Sequence, residues 1–254
     1  MNNKAKEHFM RNKTAYIFLF VFIVLVIGVS TLYGLGYRFK NNLTLGKIGY
    51  VEITIPMPLT SIFIDESKKI VTDRDNQAIK LSFTPRGHSI IISKDGYYPW
   101  KKDFTVPSKG LVILKPIFVS VNASGEIINK IDPEYWKLRN MIITDPLPTK
   151  NTAKVSSDGS TKIWIENSGI IAQTGSTTVG VIQTDTAIRN ISFYKKRSDA
   201  VVFSTGNTIY VIEIAPTGEQ NFMPIYKGVK PSFVANDPNF IYVLDGENLM
   251  QVII

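Results

Sequence analysis

The sequence predicts a mainly β protein with one N-terminal transmembrane helix, in which a small antiparallel β-sandwich precedes incomplete β-propeller-type blades. Three observations predict this fold class: a long uncharged apolar stretch near the N-terminus, short alternating strand patterns separated by turn residues, and a repeat in the C-terminal half. The 254 residues are 44% hydrophobic and 20% charged, which excludes disorder as the main state.

The composition also excludes several classes of active site. The chain has no Cys, so it has no disulfide scaffold, thiol nucleophile, zinc finger or iron–sulfur site. It has only two His, which argues against a His-based triad or a multi-His metal site. No phosphate-binding loop, dinucleotide fingerprint, nucleophile elbow or EF-hand loop is present. We therefore expect no enzymatic activity, no metal and no cofactor.

A transmembrane anchor is predicted over residues 14–37, preceded by a cytoplasmic tail of residues 1–13. These 24 anchor residues carry no charge, and as a helix they would extend about 36 Å, enough to cross a hydrocarbon core of about 30 Å. Tyr16, Tyr33 and Tyr37 lie near the two ends, where amphipathic rings favour the interface.

A cleaved signal peptide is the alternative to a retained anchor. Gly28-Val29-Ser30 fits a small-residue cleavage site, but the apolar run continues to Leu35, which favours retention. The basic residues of the leader favour a cytoplasmic N-terminus and an extracytoplasmic bulk, in a single-pass cell-membrane protein. These residues are Lys4, Lys6, Arg11 and Lys13.

The first predicted module covers residues 46–120. Its strands have four to six residues each and are spaced as in a small antiparallel sandwich. In chain order these strands are Tyr50–Ile55, Ser61–Asp65, Ala78–Phe83, His88–Ser93, Asp103–Val106 and Leu111–Leu114. A charged turn is predicted at Glu66–Lys69.

The second half of this module resembles the PEGA domain family. The resemblance rests on the strand that starts at Gly87-His88, its end at Lys94-Asp95-Gly96, and the Tyr97 that follows. Leu59 and Thr60 replace the Glu-Gly pair of the family's name-giving tetrapeptide, and Glu66 replaces the usual Gly after the strand-end Asp65. The resemblance implies an extracytoplasmic attachment or interaction role.

An aromatic and basic cluster follows Gly96 and forms the candidate interaction surface. Its members are Tyr97, Tyr98, Trp100, Lys101 and Lys102. These side chains could contact a glycan or a peptide. The alternative interpretation, which we prefer, is that Tyr97 and Trp100 close the apolar core of the module.

A connector with a short helical turn is predicted over residues 121–152, and propeller-like β repeats over residues 153–254. The repeats are marked by Gly169, Gly206 and Gly246, spaced 37 and then 40 residues apart, which is the length of one propeller blade. The turn Ser156-Ser157-Asp158-Gly159 is similar to that of TolB-like, WD-like propeller repeats. About a hundred residues supply only two and a half blades, so either the chain is cut short or these strands pair with something else. An incomplete propeller is favoured over a self-sufficient sandwich.

The net charge of +8 is concentrated in the first half of the chain. Residues 1–37, 38–120 and 121–254 carry net charges of +3, +6 and −1, respectively. This distribution fits attraction to anionic headgroups or acidic wall polymers, although an ordinary solvated surface explains it equally well. Nucleic-acid binding is disfavoured because the Lys residues are dispersed.

Two functional hypotheses follow. The first is a non-enzymatic single-pass envelope protein that anchors in membrane lipid and displays both β modules to a cell-wall polymer or an envelope protein. The second is an extracytoplasmic sensor or an accessory subunit of a membrane-bound complex. The sequence leaves the oligomeric state and the identity of the ligand open.

Overall fold

The structure, a computed structural model, describes residues 3–39, 45–66, 68–73, 77–215 and 219–254. Within these ranges the protein is mainly β, with two α-helices, α1 (Asn3–Gly34) and α2 (Pro133–Thr144), and several antiparallel sheets. The predictions of a mainly β chain and of one N-terminal apolar helix are confirmed.

Nine strands precede residue 120 in the described part of the chain. They are β1 (Tyr37–Phe39), β2 (Leu45–Lys47), β3 (Gly49–Ile55), β4 (Ser61–Ile64), β5 (Lys68–Val71), β6 (Gln77–Phe83), β7 (Gly87–Ser93), β8 (Trp100–Thr105) and β9 (Leu111–Leu114).

Twelve further strands follow, with α2 between the first and the second of them. They are β10 (Gly125–Ile128), β11 (Lys154–Val155), β12 (Thr161–Glu166), β13 (Gly169–Thr174), β14 (Thr177–Gln183), β15 (Ile188–Phe193), β16 (Ala200–Thr205), β17 (Thr208–Glu213), β18 (Phe222–Lys227), β19 (Ser232–Val234), β20 (Phe240–Asp245) and β21 (Asn248–Ile253).

The chain divides into two compact units by its internal contacts. The first unit comprises the described residues within Met1–Pro56, Asn76–His88 and Phe104–Lys115. The second comprises those within Met57–Asp75, Ser89–Asp103 and Pro116–Ile254. The chain therefore crosses between the units several times before residue 116. The predicted module boundaries stay predictions.

The first unit consists of α1, a short hairpin and a three-stranded sheet. The hairpin pairs β1 with β2 in antiparallel register. In the sheet β3 is central, antiparallel to β6 and parallel to β9. Buried residues alternate along β3, at Val51, Ile53 and Ile55, as the two-residue period of a strand with one buried face requires.

The second unit begins with a four-stranded sheet in the order β5-β4-β7-β8. The predicted turn at Glu66–Lys69 is shorter than expected, because β5 already begins at Lys68. Asp65 and Glu66 both have positive φ angles, of 47° and 61°, and the antiparallel pairing of β4 with β5 begins at Ile64↔Lys68.

Three further four-stranded sheets occupy the rest of the second unit. The first has the order β11-β12-β13-β14 and the second β15-β16-β17-β18, so each is a meander of neighbouring antiparallel strands. Their apolar faces share one core, which contains Ile163, Ile170, Phe193, Val201 and Phe203. The burial of these β-branched and aromatic side chains is the main stabilising contribution in this part of the unit.

The third sheet has the order β10-β21-β20-β19. Its outer strand β10 comes from before α2 and pairs with β21 from Gly125↔Val252 to Ile128↔Leu249. Strand β21 therefore pairs with an upstream segment, in keeping with one of the two alternatives that the sequence left open. The edge of β21 is covered rather than bare.

Helix α2 packs on this third sheet. Asp132 caps its N-terminus by accepting a hydrogen bond from the Glu134 backbone N–H at 2.8 Å, and Pro133 occupies the first turn. Tyr135, Leu138 and Ile142 are buried in a cluster that also contains Leu244 and Leu249. The predicted short helical turn is therefore a helix of 12 residues with a buried face of its own.

Candidate functional site

The candidate interaction surface lies in a turn and the start of β8. Trp100 is only 2% exposed, Tyr97, Tyr98 and Lys102 are half-buried, and Lys101 is exposed. Because successive side chains of a strand point to opposite faces, Trp100 and Lys102 share the face of β8 that Lys101 does not. The five side chains therefore do not form one continuous exposed surface.

Trp100 and Lys102 both bind the carboxylate of Glu213, at the end of β17. Trp100 donates from Nε1 to Glu213 Oε1 at 2.5 Å, and Lys102 Nζ lies 2.9 Å from Glu213 Oε2. Glu213 is 6% exposed, and Asn221 Nδ2 also donates to it, at 3.0 Å. A buried carboxylate needs such donors because desolvation of an unpaired charge is expensive.

Asn221 also joins the backbone of Lys101. The Lys101 N–H donates to Asn221 Oδ1 at 3.0 Å, and Asn221 Nδ2 donates to the Lys101 carbonyl oxygen at 2.8 Å. The Lys101 side chain lies 3.5 Å from the Glu219 carboxylate, but both groups are largely exposed. Trp100 and Lys102 serve as internal cross-links of the second unit, because the Glu213 carboxylate accepts from both and the Glu219 carbonyl oxygen also accepts from Lys102. The predicted interaction surface as a whole stays a prediction.

Tyr97 and Tyr98 are held against the segment before β10. The ring of Tyr97 meets that of Phe118 edge to face, with centroids 6.1 Å apart. The Tyr98 N–H donates to the Val119 carbonyl oxygen at 2.9 Å. The ring contact holds the Tyr97 side chain and the hydrogen bond holds the Tyr98 backbone, while part of each side chain stays exposed.

Tyr98 also lines a cleft of about 470 Å³, which we call the tyrosine cleft. Its other lining residues are residues 121–123 and residues 224–227. This volume is within the range of small-ligand sites. The cleft runs along β18, the edge strand of its sheet, and Pro224 is tolerated there because an edge position needs no backbone donor.

Tyr226 is the second aromatic residue of the tyrosine cleft. Its hydroxyl group donates to Asp245 Oδ2 at 3.3 Å. Burial, together with the nearby Asp245 carboxylate, raises the pKa of Tyr226, so the phenol stays neutral at physiological pH. With the exposed amide of Asn122 and the exposed Lys227, the cleft offers aromatic faces, hydrogen-bonding groups and one cation.

These groups suit binding rather than acid–base chemistry. Neither a carboxylate nor an imidazole is among the lining residues that the structure describes. A π face and an amide instead fit a sugar ring or an extended peptide, which present apolar C–H groups beside polar ones. Sequence patterns did not bring Tyr226 and Asn122 together in one site, because the segments that carry them are about a hundred residues apart.

A second cavity has a volume of about 350 Å³, and five of its eight described lining residues carry hydroxyl groups. They belong to Ser160, Thr161, Thr174, Thr177 and Ser198. The one carboxylate that lines it in the described ranges, Asp199, is paired with Arg197 at 2.7 Å. This cavity therefore offers weak hydrogen-bonding groups and no unpaired charge.

Asp158, beside this cavity, accepts three hydrogen bonds at the turn before β12. They come from Ser156 Oγ at 2.6 Å, Ser160 Oγ at 2.8 Å and the Ser160 N–H at 3.0 Å. The bond from Ser156 and those from Ser160 hold the pKa of Asp158 well below its usual range. The carboxylate thus stabilises a turn.

Metal-ligand clusters are not found in the described part of the chain, where no three His, Cys, Asp or Glu side chains come together. His88 is buried, and its Nε2 lies 2.8 Å from the Thr84 carbonyl oxygen, beside the rings of Phe83 and Phe104. The expectation of no metal, no cofactor and no enzymatic activity stays a prediction.

Comparisons with known proteins give little further information. No protein-family profile and no curated protein matches the chain. One solved structure that resembles it is a protein of unknown function from Bacteroides fragilis NCTC 9343, which its name associates with the membrane. The two chains are 10% identical, the match covers 81% of this chain and 94% of the other, and the TM-score is 0.24. A likeness of this strength carries no argument about fold or function.

Proposed function

We propose that this protein is a non-enzymatic single-pass membrane protein of the cell envelope, which presents binding surfaces on β modules outside the membrane. The observation that carries the proposal is the apolar segment Tyr16–Gly34 of α1, none of which is buried against the rest of the chain. At about 1.5 Å per residue, its 19 residues extend about 28 Å, close to the thickness of a hydrocarbon core. Exposing such a surface to water would be costly.

The orientation in this proposal follows the basic N-terminal leader, which favours the cytoplasmic side. The tail of residues 1–13 would then be cytoplasmic, and the bulk of the chain would lie outside. Residues 3–13 belong to α1, so this part of the tail continues the helix of the anchor. The apolar segment ends at Gly34, and residues 35–37 of the predicted anchor follow it at the interface.

The PEGA-like sandwich and the propeller-like repeats belong to the same proposal. The sheets β6-β3-β9 and β5-β4-β7-β8, both built from residues 49–114, support a PEGA-like module. The three four-stranded sheets with meandering strand order support propeller-type blades, and the pairing of β10 with the last strand is a feature that ring-shaped β folds use to cover an edge.

Within these modules we assign ligand binding to the tyrosine cleft. Tyr98 supplies an aromatic face, Asn122 an amide, and Lys227 a cation for an acidic group. A cell-wall polymer that carries sugars and acidic groups matches this set of groups better than an apolar ligand does. A peptide segment of an envelope protein is the other ligand that the cleft would admit.

The test is a sedimentation assay of the full chain, in detergent micelles, with purified cell-wall polymer. Removal of the Tyr98 ring by Tyr98→Ala should weaken binding about 2- to 10-fold, since an aromatic contact contributes roughly 0.5–1.5 kcal/mol. Trp136→Ala is the matched control, because Trp136 is an exposed aromatic residue of α2 that does not line the cleft. Equal binding by wild type and Tyr98→Ala would remove the cleft from the proposal.

A further inference from the structure

A polar pocket of about 280 Å³ lies at the C-terminal end of α1, within the first unit. Its lining includes Tyr33, Arg38, Tyr50 and Lys109, together with Gly36 and Ile48. Two of these residues are cations: Arg38 comes shortly after the apolar segment that ends at Gly34, and Lys109 reaches the end of that segment from the turn before β9. We call this site the juxtamembrane pocket.

Backbone hydrogen bonds hold the walls of the juxtamembrane pocket together. The Ile48 N–H donates to the Gly36 carbonyl oxygen at 3.2 Å, and the Lys109 N–H donates to the Ile48 carbonyl oxygen at 2.9 Å. The Tyr50 N–H adds a bond to the Gly110 carbonyl oxygen at 2.8 Å. The end of the helix, the start of β3 and the turn before β9 are thus joined as one rigid frame.

Gly36 makes the position of Lys109 possible. A Cβ atom at Gly36 would lie 2.7 Å from Lys109 Cγ and 2.9 Å from Lys109 Cε, closer than side chains normally approach. Gly36 also has a φ of +87°, which side chains disfavour. The alkyl chain of Lys109 passes over this glycine, and its ammonium group reaches the carbonyl oxygen of Gly34.

Arg38 is fixed over the last turn of α1. Its Nη1 donates to the carbonyl oxygens of Tyr33 at 2.9 Å and Tyr37 at 2.8 Å. Its guanidinium carbon lies 3.1 Å from the centroid of the Tyr33 ring. The planar group is therefore held in one orientation by two acceptors and an aromatic face.

The juxtamembrane pocket carries more positive charge than is needed to balance the C-terminal end of α1. The C-terminus of a helix carries about half a negative charge, whereas Arg38 and Lys109 supply two full positive charges. Nε and Nη2 of Arg38 and two of the Lys109 N–H groups have no acceptor in the described part of the chain. In those same ranges no carboxylate forms an ion pair with either residue.

Two more lysines extend the positive charge around this pocket. Lys80 Nζ lies 4.9 Å from the centroid of the Tyr50 ring, and Lys47 Nζ lies 5.7 Å from that of Tyr37. Tyrosine rings and cations together are the groups that favour the headgroup region of a bilayer.

We propose that the juxtamembrane pocket binds the phosphate of an anionic membrane lipid, with Arg38 and Lys109 as its ligands. This rests on the proposed function, because a headgroup reaches the pocket only if α1 crosses the bilayer. The guanidinium donates two hydrogen bonds to the phosphate and the ammonium group supplies a third, since both cations still have donors to spare. An anionic lipid is preferred over a zwitterionic one, whose choline would add a further cation to a site that already carries two.

The test compares the full chain in nanodiscs of phosphatidylcholine alone and of phosphatidylcholine with 30% phosphatidylglycerol. We expect phosphatidylglycerol to raise the unfolding temperature, and native mass spectrometry of the delipidated protein to show phosphatidylglycerol retained at least fivefold over phosphatidylcholine. Arg38→Gln with Lys109→Gln should abolish both effects. The matched control, Lys137→Gln with Lys162→Gln, makes the same change in net charge at exposed positions outside the pocket and should retain both effects.

Gly36→Ala is a second variant that keeps both charges. It should weaken phosphatidylglycerol retention, because the new methyl group displaces Lys109. If the double variant does not fold, the proposal is tested by Gly36→Ala and by the lipid preference of the wild type. Equal retention of the two lipids by wild type would overturn the proposal.

Two further comparisons identify what causes the stabilisation. Inorganic phosphate added to phosphatidylcholine nanodiscs should not reproduce the stabilisation, and a phosphate effect equal to that of phosphatidylglycerol would identify a site for free anions instead. A chain that does not enter nanodiscs contradicts the proposed function. A chain that enters them without lipid preference contradicts only the lipid site.

Discussion

Two carboxylates of the second unit, Asp158 and Glu213, are each surrounded by hydrogen-bond donors. Asp158 receives three bonds on one oxygen, from Ser156 and Ser160, at the turn before β12. Glu213 receives bonds on both oxygens, from Trp100, Lys102 and Asn221, and so joins β8 to β17. In each case the carboxylate is held in the folded chain by donors that the unfolded chain does not position.

Asp158→Asn should lower stability in a way that depends on pH. Asn keeps one acceptor oxygen for these bonds, removes the charge and replaces the other oxygen by an NH2 group. The hydrogen bonds lower the pKa of Asp158 in the folded state. The ionised carboxylate therefore makes its full contribution to the free energy of unfolding at any pH above the pKa of the unfolded chain, about 3.9. This contribution is lost as the pH falls from there through the pKa of the folded chain. The unfolding temperature of the variant should therefore lie below that of wild type at pH 7, with a difference that narrows below pH of about 4.

The exposed Asp185 supplies the control for this measurement. Asp185→Asn makes the same change in charge and should show a smaller difference at pH 7, because no hydrogen bond to its side chain is found among the described residues. A constant difference between Asp158→Asn and wild type from pH 7 to pH 3 would contradict the role assigned to the ionised carboxylate.

Among the secondary-structure elements, β10 is unusual because it is held in place mainly by backbone hydrogen bonds to β21. Ile127 is 74% exposed, and only Ile128 of the four residues packs against a core. Its pairing with β21 nevertheless satisfies a row of backbone groups that would otherwise form an open edge. The Ile253 N–H continues this row by donating to the Ser124 carbonyl oxygen at 2.9 Å.

Gly125→Ala should detach this strand, because a Cβ at Gly125 would overlap the carbonyl oxygen of Gln251. We expect a loss of about 1–3 kcal/mol in the free energy of unfolding, typical of overpacking. Hydrogen exchange of the β21 amides should also become faster. Gly180→Ala is the control, since Gly180 is a strand glycine of β14 with no atom within 4 Å of the new Cβ, and it should be neutral. A neutral Gly125→Ala would contradict the pairing.

The strands were largely predictable from sequence where the pattern is local. Leu111–Leu114 has the predicted bounds, and the strands that begin near Tyr50, Ser61 and Ala78 differ by at most one residue at either end. These strands can be predicted because apolar and polar residues alternate along each of them, which is the pattern of a strand with one buried face. The pairing of β10 was not predictable, since its four residues have no buried pattern of their own.

The candidate site was predictable only in part, for the same reason. Tyr97, Tyr98 and Trp100 stand out in the sequence as a cluster of rings. Their different environments depend on Glu213 and Tyr226, more than a hundred residues further along the chain. Burial of Trp100 agrees with the interpretation that it packs inside the protein, whereas Tyr98 remains available to a ligand.

At the scale of the whole molecule, positive charge is concentrated where the apolar helix is. Residues 1–120 have a net charge of +9, and residues 121–254 a net charge of −1. The apolar segment Tyr16–Gly34 therefore has basic residues both before it and after it. Electrostatic attraction to anionic headgroups would hold both ends of such a helix at the two interfaces.

Single cysteines can map this arrangement without background, because the chain has none of its own. In intact cells, a membrane-impermeant maleimide should label Ser176→Cys, in an exposed turn, and should label Asn3→Cys only after permeabilisation. Gly28→Cys should react with neither treatment, since a thiol in the hydrocarbon core does not ionise and the reagent does not enter. The Gly28 position tolerates the change, with no atom within 4 Å of the new Cβ.

Labelling of Asn3→Cys and protection of Ser176→Cys would reverse the proposed orientation. Labelling of Gly28→Cys as fast as Ser176→Cys would show that the helix rests in water, and the apolar segment would then need a protein partner instead of a bilayer.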